Sequence, residues 1–155
     1  MGSCFSNPLL QASVSTPYHS FEGKVYQSVC VSIYDGDSCT LAINLSSKVL
    51  LFKCRLAGID TPEIKSKSQG AYAARDYLIN ALTTKEMVNT YPTKGEIQQH
   101  LHNHKRLLRV ECGKFDKYGR LLVKIFVEPD TCSVNDKLIV EGLAKSYDGG
   151  TKEVW

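Results

Sequence analysis

The chain has no Cys-x-x-Cys pair among its six cysteines, at 4, 30, 39, 54, 112 and 132, and its first residues do not read as a secretory leader. That combination speaks against a disulfide framework and against a zinc ribbon, so reduced thiols in an intracellular protein are the expectation. Cys30, Cys39, Cys54 and Cys112 lie in apolar or alternating runs, where a thiol behaves as a small hydrophobe, and none has the surroundings of a nucleophile. No apolar run approaches the roughly 18 to 20 residues that span a bilayer. Charge of one sign is also lacking: a formal +3 permits a polyanionic partner without demanding one, so clustering must carry that argument. With 43% apolar and 23% charged residues, neither wholesale disorder nor a fibrous repeat is indicated. A length of 155 residues suits one domain with one core.

Residues 1–20 mix Ser, Pro, Asn and Gln without periodicity and read as a flexible arm, with the folded domain expected over 21–148 and a short tail over 149–155. Lys24 to Ile33 and Cys39 to Ile43 are short β-branched stretches either side of Asp35-Gly36-Asp37, the pattern of a hairpin, and Lys48 to Leu56 supplies a third strand. Beyond Pro62 the period lengthens: Ala71, Ala74, Leu78 and Leu82 form one apolar stripe on a helix from about Ser68 to Leu82. Leu107 to Cys112 and Leu121 to Val127 give two more strands. Ser133 to Gly142 fits a helix that Ser133 caps and Gly142 ends. The expected class is α+β, a five-stranded OB-type β-barrel with about three helices. Thr83 to Lys105 reads as an inserted polar loop, with room for a short helix; His100, His102 and His104 within it have the spacing to capture a metal, but a solvated loop is the favoured reading.

Three runs carry chemistry: Asp35-Gly36-Asp37, Arg55-Leu56-Ala57-Gly58-Ile59-Asp60-Thr61-Pro62-Glu63, and Asp116-Lys117-Tyr118-Gly119-Arg120. Hard carboxylate oxygens suit a divalent cation, and arginines suit a phosphate on which negative charge accumulates, the needs of phosphodiester cleavage. Each run alone has a plainer explanation. Asp-Gly is a favoured hairpin dipeptide, Asp60-Thr61-Pro62-Glu63 can be a helix entry, and Asp116 to Arg120 can be a charged loop.

Taken together with Asn135 to Ala144, the runs resemble, in order and content, those of the staphylococcal nuclease (thermonuclease) family, over about Phe21 to Tyr147. The resemblance implies Ca²⁺ held by the carboxylates of Asp37 and Asp60 and the backbone carbonyl of Thr61, with Asp35 behind them orienting water or a ligand. It implies catalytic roles for Arg55, Glu63 and Arg120: the arginines on the phosphate, and Glu63 accepting a proton from the attacking water or orienting it. Lys117, Tyr118 and Tyr147 would line the nucleotide pocket. The implied activity is hydrolysis of DNA and RNA, single-stranded or locally opened, with little sequence preference and by in-line attack of water, in a monomer. The alternative is a module of the same fold that binds nucleic acid or serves as a scaffold without cleaving. Ser38 departs from the threonine usual after Asp-Gly-Asp but keeps the hydroxyl, and the insertion before Leu107 lengthens one side of the implied site.

Met1-Gly2-Ser3-Cys4-Phe5-Ser6 fits the pattern for myristoylation of Gly2, with Cys4 beside it as a palmitoylation candidate; two acyl chains make a stable anchor where one does not. The expected location is therefore cytoplasmic, or at a membrane surface held by acylation. An accidental Gly-Ser start is the rival explanation.

Overall fold

In the computed structural model, which describes residues 6–155, strand β1 (Val25–Asp35) turns at Gly36 into β2 (Ser38–Leu45), and a second tight turn leads to β3 (Lys48–Leu56). Both ladders are antiparallel, with Asp35 opposite Ser38 and Ser38 opposite Arg55. The register of β1 shifts between Cys30 and Ser32 and again between Ile33 and Asp35, and such bulges bend and twist a sheet toward closure. Beyond β3, a turn at Gly58 enters the short β4 (Ile59–Asp60). Strands β5 (Leu108–Phe115) and β6 (Leu121–Phe126) complete a closed barrel in the order β1-β2-β3-β6-β5, and a two-residue β7 (Lys145–Ser146) pairs with β4 outside it. With helices α1 (Gln69–Ala81), α2 (Lys94–Asn103) and α3 (Val134–Val140), this is the α+β, five-stranded OB-type barrel that the residue pattern predicts.

Closure matters most for the site. Strands β3 and β6 run parallel, Cys54 beside Leu121 and Arg55 beside Leu122. The buried Asn135 on α3 seals that joint: its Nδ2 donates to the carbonyls of Ala57 and Val123, each at 2.9 Å, while its Oδ1 accepts from Ile125 N at 3.1 Å. The barrel interior is filled by alternate strand residues, among them Leu41, Ile43, Leu56, Val110, Val123 and Ile125, together with the free thiols Cys30, Cys39, Cys54 and Cys112. Burial pushes the Cys54 thiol up to about 12, and contact with Cys30 followed by burial pushes Cys39 well up, so these groups pack and do not react.

Helix α1 buries the predicted stripe of Ala71, Ala74 and Leu78, with Leu82 following, and Ser68 Oγ caps its start by accepting from Ala71 N at 3.2 Å. Ser133 does the same for α3 at Asp136 N, 3.0 Å, and Gly142 ends it at φ +71°. The insertion is more ordered than a polar loop. It holds the ten-residue α2, capped by Thr93, with Ile97 and Leu101 buried. Two apolar residues at i and i+4 are enough to seat one helix face on the core, and the polar remainder masks the period. The His100 and His104 rings lie 4.7 Å apart, His100 Nε2 is 2.8 Å from the Lys85 carbonyl, and His102 Nδ1 is 3.1 Å from Lys105 Nζ.

At the amino end, a 3₁₀ turn over Pro8–Gln11 is exposed, and Phe21 is the first residue to pack, its ring 5.5 Å from Phe52 and 5.8 Å from Phe115. Gly2 and Cys4 lie outside the described residues. Among the described residues no helix is long and apolar enough to cross a membrane.

Candidate active site

The β1–β2 turn presents Asp35 and Asp37 beside β3, because the Leu56 amide bonds the Asp37 carbonyl at 2.8 Å. Arg55 then lies next to Asp37, Nη1 to Oδ2, at 2.7 Å. The turn after β3 brings Asp60 back, and Arg55 Nη2 reaches its Oδ1 at 3.3 Å. Asp37 Oδ2 also accepts the Thr61 amide at 3.1 Å. Asp35, Asp37, Arg55, Asp60 and Thr61 are all at least nine-tenths buried. Gly36 permits this crowding: a Cβ there would sit 2.6 Å from the Ala74 Cβ and 3.0 Å from Thr61 Cγ2, so only glycine lets α1 close over the turn.

Asp35, Asp37, Arg55 and Thr61 form one wall of a cavity of about 550 Å³ that Glu63, Lys117, Tyr118, Arg120, Tyr147, Lys53 and Lys152 also line, with Asp60 behind Arg55. Parallel pairing of Cys54 with Leu121 delivers Arg120, one residue earlier, to the rim beside Lys53. Asp116 fixes it there. One carboxylate oxygen accepts the amides of Tyr118 and Arg120, both at 2.9 Å, and the other takes Arg120 Nε at 2.8 Å, while Gly119 turns the loop at φ +78°. Pairing of β4 with β7 explains Tyr147, whose ring lies 5.5 Å from the Arg55 guanidinium.

Burial would lower Arg55, but the carboxylates beside it, Asp37 foremost, more than offset that and hold it above its usual value. Burial and then the neighbouring Asp37 charge push Asp35 up to about 6, although the Ser38 hydroxyl donates to it. Glu63 differs in being exposed, with only a loose contact to Lys65 at 3.5 Å.

Every predicted site residue within the described chain therefore joins one constellation: Asp60 reaches it through Arg55, and the others line the cavity. Four more contributors are not assigned by the sequence pattern. Lys53 precedes Arg55 by two and so shares its strand face, which the period of two along β3 indicates. Asp116 opens an Asp-x-x-Gly turn, whose amide-capturing habit points to its role. Lys152 and Trp155 had no signal: Lys152 Nζ is 3.0 Å from Asp60 Oδ1, and Trp155 Nε1 donates to Asp60 Oδ2 at 3.2 Å.

Among the described residues no three His, Cys, Asp or Glu side chains gather as a metal cage of their own. The cavity does fit a hard cation that completes its shell with water and a ligand's oxygens. Its available donors are oxygens, with no imidazole or thiol in the lining, and the Thr61 hydroxyl is buried without a hydrogen-bond partner.

The model of the family described as staphylococcal nuclease homologue matches residues 53–153. An uncharacterized protein of Methanocaldococcus jannaschii is 30% identical over 130 residues, which covers 79% of this chain and 59% of that protein. The chain thus spans less than two thirds of that relative's length.

Burial alone would raise the Asp116 carboxyl, but the bonds from Arg120 and Tyr118 outweigh it and hold it below its usual value. A carboxylate depressed on folding contributes stability that is present above its unfolded value and lost as the pH falls through the folded one. Asp116→Asn is therefore expected to cost about 1–2 kcal/mol at neutral pH. Urea titrations should show the gap between parent and variant closing as the pH drops below about 4; a gap independent of pH would contradict the assignment.

Proposed function

This chain belongs to the staphylococcal nuclease homologue family, and from that membership we propose that it is a Ca²⁺-dependent nuclease hydrolysing DNA and RNA with little sequence preference. The observation that carries the reading is a single guanidinium, Arg55, within 2.7 Å of Asp37 and 3.3 Å of Asp60 at the wall of a cation-rich cavity. An acid from the β1–β2 turn and one from β4 share that guanidinium of β3, and Arg120 joins them from the loop before β6.

In this reading Asp37, Asp60 and the Thr61 carbonyl hold the ion, which when bound neutralises charge on a phosphate oxygen and steadies the water beside it. Arg55 turns part of its planar fork from the carboxylates to the phosphate. Arg120, gripped by Asp116 through Nε alone, offers its other donors to the same group. Both are preorganised where the five-coordinate transition state gathers charge, so little reorganisation is needed during reaction. Glu63, solvated at the cavity edge and set by Pro62, takes a proton from the attacking water or orients it. The water attacks in line, opposite the 5′ oxygen of the next nucleotide, and leaves a 3′ phosphate. Lys117, Tyr118 and Tyr147 present cationic and aromatic surface to a nucleotide, contacts indifferent to base identity, which accounts for weak sequence preference.

Digestion of single-stranded DNA with Ca²⁺ and with chelator tests this. Cleavage should require Ca²⁺, and Glu63→Gln, at an exposed position that leaves the fold intact, should lower kcat about 10²- to 10⁴-fold. Arg55→Ala should lose a comparable factor and also about 3–5 kcal/mol of stability, because the buried Asp37 carboxylate loses its ion-pair partner. Full cleavage in chelator would refute the metal mechanism; binding without any cleavage by the parent would make the protein the non-catalytic binding module instead.

A further inference from the structure

Arg75, on the inner face of α1, is 7% exposed, yet its Nε and Nη2 are buried without a hydrogen-bond acceptor. The nearest carboxylate oxygen, Asp76 Oδ1, is 3.7 Å from Nε, beyond hydrogen-bond range, and itself has no donor. Burial raises the Asp76 carboxyl and Arg75 offsets this only in part, as expected of a poorly coupled pair. Among the described residues the Tyr72 ring, 5.2 Å away, is what faces the guanidinium favourably. A structural arginine buried this deeply is normally forked onto a carboxylate or carbonyls.

Arg75 borders a second cavity, of about 480 Å³, that Lys53, Lys94 and Arg120 also line and that no Asp or Glu lines. Lys53 and Arg120 line the first cavity as well, so the two share a wall. Four cations without a carboxylate in the lining, of which only Arg120 is bonded to an acid, Asp116, outside it, hydroxyls at Ser32 and Thr40, and the exposed ring of Tyr34 make a place for an anion carrying a flat group. We propose that this second cavity binds another phosphate of the same strand, a neighbour of the one cleaved, with Arg75 and Lys94 as its anchors. The inference rests on the nuclease reading and extends it from one phosphate to a track.

Binding of a single-stranded dinucleotide and octanucleotide, measured by fluorescence anisotropy in chelator, tests it with Arg75→Gln and the exposed Lys94→Ala. Each variant should bind the octanucleotide about tenfold more weakly, with a salt slope reduced by about one, and bind the dinucleotide as the parent does. Inorganic phosphate should also shift the Arg75 Nε–H resonance of the parent. An octanucleotide bound equally by parent and both variants, a dinucleotide weakened in step with it, or an unmoved Arg75 signal would each overturn the second cavity while leaving the nuclease reading intact. A parent that binds neither oligonucleotide would sink both.

The chain after β7 carries a separate device. Lys152 Nζ and Trp155 Nε1 cap the two oxygens of Asp60, at 3.0 and 3.2 Å. Lys145 secures the segment, its ammonium 4.7 Å over the indole and bonded to the Val154 carbonyl, and the Tyr147 hydroxyl donates to the Gly150 carbonyl at 3.0 Å. The bond to Asp60 raises Lys152 above its usual value. We infer that residues 149–155 are a strap whose ammonium and indole occupy Asp60 until a divalent cation displaces them; this rests on Asp60 being a cation ligand.

Trp155 is the chain's single tryptophan, so its emission reports the strap directly. Adding Ca²⁺ should shift that emission to the red, and Lys152→Ala should bind Ca²⁺ several-fold more tightly by calorimetry. Calcium bound with emission unchanged, or equal affinity in parent and variant, would overturn the strap alone. If neither protein binds calcium, the cation site falls with it.

Discussion

Arg55 between Asp37 and Asp60 is the contact on which the remaining architecture turns. Two carboxylates and a guanidinium, all nine-tenths buried, carry a net negative charge out of water. Replacing such a cluster with apolar groups often stabilises a protein, so its presence is weak evidence for stability and good evidence for a task. The task that matches is to hold negative charge ready for a cation and positive charge ready for an anion within one guanidinium's span.

The barrel delivers that arrangement through three constraints. Parallel closure of β3 on β6, sealed by Asn135, sets Arg120, just before β6, near Arg55 on β3. The missing side chain at Gly36 lets α1 press against the acid-bearing turn. Asp116 freezes the loop that ends in Arg120 by spending its own hydrogen bonds locally. Each works by positioning and touches none of the reacting atoms. In contrast, Glu63 is left solvated, as would suit the proton acceptor proposed for it.

Much of this was legible in the residues because local rules agreed with the global fold. The Ala71, Ala74, Leu78 stripe, the Ser68 and Ser133 caps and the Asp-Gly turn specify their elements almost unaided. The constellation was legible only through its resemblance to a known family, since nothing in periodicity says that Asp37 and Asp60 share one arginine. Helix α2 was hidden because just Ile97 and Leu101 face the core, and Arg75 was hidden because a cation inside an apolar stripe reads as a surface residue. The contacts of Lys152 and Trp155 arise from β4–β7 pairing, a two-residue ladder too short to leave a pattern.

The most direct measurement is calorimetric titration of Ca²⁺ into the parent, Asp37→Asn and Asp60→Asn. Convergence of both carboxylates on a single ion predicts one site in the parent that either substitution abolishes. Retention of parental affinity in either variant would contradict it.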